Sequence, residues 1–183
     1  WPMIIFILVL ITVTDSFTEG AVDAWAALYM RDVILVSGFS IGAATISFNL
    51  AMVFGRIFGD KIRDFLGTFN FLILLFLISF TGLFIIIFYS TLISSIIGFC
   101  IIGLGISSLV PLAYSIAGKT VNIDSAVGIS IISIAAYGVF MVAPAIMGFI
   151  ANAFGLNLVF LPMLILFAIF FLTIIFFKKQ FTQ

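Results

Sequence analysis

Six long apolar runs, separated by short polar breaks, organise this chain of 183 residues. They cover 3–30, 38–57, 69–88, 91–117, 125–153 and 156–177. Each reaches the roughly 20 residues that a helix needs to cross a bilayer. The breaks are Arg31-Asp32, the stretch from Gly59 to Asp64, Tyr89-Ser90, the stretch from Gly118 to Asp124, Phe154-Gly155 and Lys178-Lys179. The runs are continuously apolar rather than alternating, which excludes a transmembrane β-barrel. The pattern predicts an all-α membrane protein, a bundle of six transmembrane helices.

The runs differ in texture. The second carries Gly38, Gly42, Gly55 and Gly59, the fourth Gly98, Gly103 and Gly105, and the fifth Gly128, Gly138 and Gly148. Small residues let backbones approach in lipid, where no hydrophobic force draws helices together. The third and sixth runs are nearly all Phe, Leu and Ile, and are expected to face lipid outside a small-residue core. Pro111, Pro144 and Pro162 fall within runs and are expected to kink them, since each removes a backbone donor.

Composition strengthens the membrane assignment. Hydrophobic residues make up 65% of the chain and charged ones 8%, where a soluble domain carries roughly 25% charged. The charges are also unevenly placed. If the chain starts in the cytoplasm, that side holds Arg56, Lys61, Arg63, Lys119, Lys178 and Lys179, against Arg31 alone opposite. The positive-inside rule then puts both ends in the cytoplasm. The start at Trp1, inside an apolar run, suggests a fragment of a longer protein.

With no His and a single Cys, Cys100, the sequence argues against a metal centre, a disulfide framework or Ser-His-Asp chemistry. No cofactor is expected. No basic cluster is large enough to suggest nucleic acid. An enzyme is disfavoured because no nucleophile–base pair is visible.

The first run breaks its own pattern. Asp15, Glu19 and Asp23 recur every fourth residue and so share one helix face. An ionised side chain at the helix centre costs at least about 2.5–3.5 kcal/mol. Such groups face a cavity or a partner. No basic residue at comparable depth is evident in the other runs, which leaves protons, water, a small-molecule substrate or residues outside this chain. Neighbouring carboxylates about 6 Å apart repel by roughly 2–3 kcal/mol at an effective dielectric near 20, which favours one proton held between Asp15 and Glu19. Asp23 can instead be merely interfacial.

Trp25 and Tyr29 follow on the same helix. An interfacial aromatic belt explains them, though Trp25 can also wall a cavity. Asn49 and Tyr137 are further cavity candidates, because both are costly to bury unpaired.

Three segments resemble one family. The stretch from Glu19 through Gly20, Asp23, Trp25 and Tyr29 to Arg31-Asp32 looks like the seventh helix of a bacterial inner-membrane branch of the major facilitator superfamily. Gly55-Arg56-Ile57-Phe58-Gly59-Asp60-Lys61 resembles the loop between its eighth and ninth helices. Gly103-Leu104-Gly105 with Pro111, and Ala143-Pro144 with Gly148, look like its tenth and eleventh. Two departures stand out: Ala24 occupies the usual place of the second acid, and Ile62-Arg63-Asp64 replaces the usual Gly followed by bases.

The resemblance implies the C-terminal half of a twelve-helix transporter, completed by an N-terminal six-helix half. It implies a secondary transporter that moves a small solute by alternating access, and the acids Glu19 and Asp15 suggest that protons drive it. Asp15, Glu19, Asp23, Trp25, Asn49 and Tyr137 would line the cavity. Gly55, Arg56, Asp60, Lys61 and Arg63 would form a cytoplasmic latch loop, for which simple positive-inside topology is the plainer account. A non-transporting membrane scaffold, or a half that completes no transport cycle, is the competing reading.

Overall fold

The computed structural model describes residues 2–121 and 123–181. Trp1 and Asn122, which the sequence reading placed at the chain's start and in a loop, lie outside the described residues. The described residues form seven α-helices: α1 (Met3–Asp32), α2 (Ala43–Leu66), α3 (Thr68–Phe88), α4 (Leu92–Ile106), α5 (Leu109–Ala117), α6 (Ser125–Phe154) and α7 (Leu161–Phe176). Short 3-10 turns precede α2 and α7 and follow α7. Grouped by length and hydropathy they make six spans, α4 and α5 together forming the fourth.

Local chemistry sets the ends. Gly67 and Gly155 take φ of 76° and 88°, the left-handed region that suits glycine, and so turn the chain after α2 and α6. Thr91 and Ser94 close a reciprocal cap on α4. The Asp124 carboxylate accepts from the Ala126 amide at 2.8 Å and caps α6.

Two boundaries differ from the sequence expectation. The second span runs on to Leu66, so Gly55, Arg56, Asp60, Lys61 and Arg63 sit on helix α2 and not in a loop. Hydropathy falls at these residues, but Arg and Lys are good helix formers and nothing breaks the helix before Gly67. The fourth span, conversely, is interrupted at Ser107-Ser108.

The prolines also divide. Pro162 lies in the first turn of α7, where no backbone donor is needed, so it starts the helix without kinking it. Pro144 lies inside α6. Pro111 lies three residues beyond the break in the fourth span.

Small residues do bring backbones together. A Cβ on Gly103 would collide with the Phe48 carbonyl, so α4 and α2 touch main chain to main chain. Gly82 and Gly98 do the same for α3 and α4, where a Cβ on Gly82 would lie 2.6 Å from the Gly98 oxygen. A Cβ on Gly55 or Gly59 would strike the Ser107 or Ser108 side chain, which seats α2 against the break in the fourth span. Between α1 and α6, a Cβ on Gly20 would lie 2.8 Å from the Phe140 carbonyl oxygen.

The expected division into small-residue core and apolar outer helices is reversed in part. In the most apolar stretch of each span, 44% and 39% of the residues are buried in the third and sixth, against 22% in the second and fifth. Large side chains explain this: Phe76 of α3 stacks on Phe171 of α7 at 4.4 Å. The second and fifth spans pack through narrow small-residue stripes and leave their other faces open, with Ile57 and Phe58 exposed on α2 and Ile134 and Met141 exposed on α6. Tyr29 likewise departs from the aromatic-belt expectation. It is 2% exposed, lies edge-on to Phe99 and Phe160, and donates its hydroxyl to the Ile86 carbonyl at 3.1 Å.

Candidate functional site

The acidic stripe on α1 splits in two. Asp15 and Glu19 line a cavity of about 340 Å³ together with Ser16, Arg56, Val110, Tyr114, Ala136, Tyr137 and Phe140. Four spans therefore contribute to its wall: α1, α2, the α5 part of the fourth, and α6. Asp23, about one turn beyond Glu19, is exposed and accepts from the Asn49 side chain at 3.3 Å. Asn49 also donates to the Thr45 carbonyl at 3.1 Å, so it belongs to the rim and not to this cavity.

Arg56 is the partner that the sequence reading did not see. Its Nη2 lies 3.9 Å from Glu19 Oε1. The register explains the meeting: Glu19 stands thirteen residues before the end of α1, and Arg56 thirteen residues after the start of α2. Adjacent antiparallel helices with equal rise bring such positions to the same depth. Assigning Arg56 to a loop hid this. Counting both helices from their shared connection would have revealed it.

Arg56 makes a second contact. Its Nε donates to the Ser107 carbonyl at 3.3 Å. That carbonyl would ordinarily accept from the amide four residues on, but residue 111 is proline and has no N–H. A buried carbonyl without a donor costs free energy comparable to a lost hydrogen bond, and the guanidinium supplies the missing donor. One side chain thus touches both an acid on α1 and the orphaned carbonyl at the break in the fourth span.

Asp15 is 3% exposed, and among the described residues no hydrogen bond reaches its carboxyl group. The polar cavity side chains comprise two carboxyls, one guanidinium, two phenols and the Ser16 hydroxyl. With both acids ionised the site carries one uncompensated negative charge. A proton or a cationic group entering the cavity would neutralise it.

The remaining predicted residues take separate positions. Tyr137 is 71% exposed and lines the cavity mouth on α6. Tyr114 shares a hydrogen bond with Ser133 at 3.0 Å. Trp25 turns toward α6 and donates its indole N–H to the Pro144 carbonyl at 3.1 Å, which gives it a packing role outside the cavity wall.

On the last turns of α2, Arg63 pairs with Asp60 at 2.9 Å and with Asp64 at 2.9 Å, while Lys61 is exposed. Gly55 and Gly59 serve the helix contact described above. A second, smaller volume of about 110 Å³ lies here, lined by Arg56, Asp60, Arg63, Phe71, Ser108, Pro111 and Leu112. A larger volume of about 550 Å³ between α1, α6 and α7 is lined by apolar residues and offers no titratable group. Among the described residues no cluster of His, Cys, Asp and Glu could hold a metal ion.

No family model matches the chain. It is 31% identical over 140 residues to the membrane protein MosC of Rhizobium meliloti, a match covering 76% of this chain and 34% of that protein. It is 30% identical over 142 residues to an uncharacterized MFS-type transporter of Yersinia pestis, covering 78% and 37% respectively. An uncharacterized transporter of Sinorhizobium fredii is 26% identical over 156 residues, covering 85% and 41%. The chain thus spans between 34% and 41% of the length of these curated relatives.

Proposed function

The chain belongs to the major facilitator superfamily, and on that premise we propose that it is the C-terminal half of a proton-coupled secondary transporter of the bacterial cytoplasmic membrane. The substrate is a small solute, moved by alternating access between the two halves. The observation that carries this reading is the cavity holding Asp15 and Glu19 beside Arg56, at the level where four spans converge. Carboxyls that gain and lose a proton inside a water-accessible cavity are what proton coupling requires.

Orientation follows from charge. The end bearing Lys61, Arg63, Lys119, Lys178 and Lys179 faces the cytoplasm by the positive-inside rule. The open faces of α2 and α6 accept the N-terminal six-helix half, which completes the cavity's opposite wall. The Asp60–Arg63–Asp64 cluster at the end of α2 serves as a latch toward that half. Relatives named as transporters favour transport over catalysis.

The test uses the complete protein reconstituted in vesicles. A thermal-shift screen of metabolites and drugs supplies the transported ligand. Glu19→Gln is then expected to abolish uptake driven by a pH gradient while leaving membrane insertion intact. Uptake with an unchanged pH dependence in that variant would sink the assignment. A non-transporting scaffold predicts no ligand-driven shift and no uptake in the wild type.

A further inference from the structure

Arg56 stands between two volumes. On one side lies the 340 Å³ cavity with Asp15 and Glu19, and on the other the 110 Å³ pocket with Asp60 and Arg63. Arg56 has two unequal attachments and one potential partner. The Nε bond to the Ser107 carbonyl is 3.3 Å, and the Nη2 contact to Glu19 is 3.9 Å, an attraction between charges without a hydrogen bond. The potential partner is Asp60, which lies four residues on along the same face of α2, within reach of the guanidinium, and is held in this structure by Arg63.

The Ser107 carbonyl gives these contacts a mechanical meaning. It lies between α4 and α5, where the backbone ladder of the fourth span is interrupted and Pro111 withholds the donor. A joint lacking a ladder bond has a soft angle, and its angle is set by whatever replaces that bond. Here the replacement is a side chain whose guanidinium also lies 3.9 Å from the Glu19 carboxylate. Ser107 and Ser108 also seat directly on Gly55 and Gly59, so movement at the joint and movement of α2 are shared.

We propose that Arg56 is a positioning residue that couples the charge of Glu19 to the angle of the α4–α5 joint. With Glu19 ionised, the guanidinium is held between Glu19 and the Ser107 carbonyl and the joint is fixed. When a proton or a bound cation neutralises Glu19, the guanidinium turns to Asp60, the Ser107 carbonyl loses its donor and the joint is released toward the cytoplasmic pocket. The groups that face Glu19 are Asp15 and Asp23 on α1, Arg56 on α2, Tyr114 on α5 and Tyr137 on α6; α4 and α7 carry no charged side chain. The proposal deepens the transport reading given above and rests on it for its purpose, but its readout needs no substrate.

The experiment places spin labels at Ile93→Cys and Lys119→Cys in the complete protein, with Cys100→Ser to remove the native thiol. Ile93 and Lys119 are exposed and flank the two helices of the joint. The distance distribution between the labels is expected to shift between mildly alkaline and mildly acidic buffer. Glu19→Gln should hold it at the acidic position throughout. Arg56→Gln and Arg56→Lys should both lose the shift, because an ammonium presents no planar fork to reach the carbonyl and the carboxylate together. If Arg56→Gln fails to fold, Arg56→Lys alone decides.

A wild-type shift retained in Arg56→Lys overturns the proposal, as does a wild type with no shift. The two readings fail separately. Uptake driven by a pH gradient that survives Glu19→Gln removes proton coupling through Glu19 and leaves the joint to be judged by distance. Loss of uptake in that variant, with the shift intact in Arg56→Lys, removes the joint alone.

Discussion

The fourth and fifth spans solve the same problem in different ways. Each carries a proline that strips the donor from a carbonyl four residues earlier, Ser107 for Pro111 and Phe140 for Pro144. In the fourth span the helix is interrupted and an arginine from α2 donates to the carbonyl. In the fifth span α6 continues through the proline, and Gly20 of α1 packs against the freed oxygen so closely that a Cβ would lie 2.8 Å away. The first solution uses a charged side chain with a second partner on α1, so it responds to charge. The second replaces the bond with close backbone packing that supplies no donor, so it is fixed by shape. A missing helical bond is therefore a hinge only where its substitute can be moved.

The largest test of this contrast is to restore each donor. Pro111→Ala returns an N–H that competes with Arg56 for the Ser107 carbonyl. Losing the effect of one charge-assisted hydrogen bond, about 1.5–3 kcal/mol, should lower the uptake rate about tenfold or more. The thermal midpoint should change little, since Pro111 lies in the first turn of α5, where proline is tolerated. Pro144→Ala restores the donor in a helix that is already continuous, and should raise stability while changing uptake less than about twofold. Equal effects on uptake would break the comparison.

The backbone contact is tested next. Gly20→Ala places a methyl against the Phe140 carbonyl and should destabilise by about 1–3 kcal/mol in denaturation of the purified protein. Gly138→Ala, on α6 where no atom lies within 4 Å of the added carbon, should instead stabilise by up to about 1 kcal/mol. Opposite signs from two glycines at the same α1–α6 level of the bundle would establish that the contact, and not glycine content, holds α6. The smallest effect belongs to Trp25→Phe. It removes the indole bond to the Pro144 carbonyl and should cost about 1 kcal/mol of stability, with uptake retained. A selective loss of uptake would return Trp25 to the cavity.

Much of the site was legible in the sequence and a decisive part was not. The four-residue spacing of Asp15, Glu19 and Asp23 marked α1 as the helix that faces a cavity, because burying a charge in lipid is expensive wherever it happens. The spacing could not say that Asp23 would leave the group and meet Asn49 at the rim. Arg56 stood at the end of the second apolar run but was assigned to a latch loop by the resemblance, which hid its place in the helical register of α2. Tyr29 looked interfacial by its residue type, and only packing against Phe99 and Phe160 shows it to be core.

The sequence by itself determined the six spans, the uneven placement of charges between them and the presence of acids within one of them. These follow from the transfer free energy of each segment between water and lipid, a quantity that depends on local composition and adds residue by residue. Tertiary structure alone decided which spans share a wall, that the second and fifth expose more than the third and sixth, and that Arg56 reaches both Glu19 and Ser107. Those outcomes depend on the register between helices. Register is set by where small residues let two backbones touch, and no single segment carries that information.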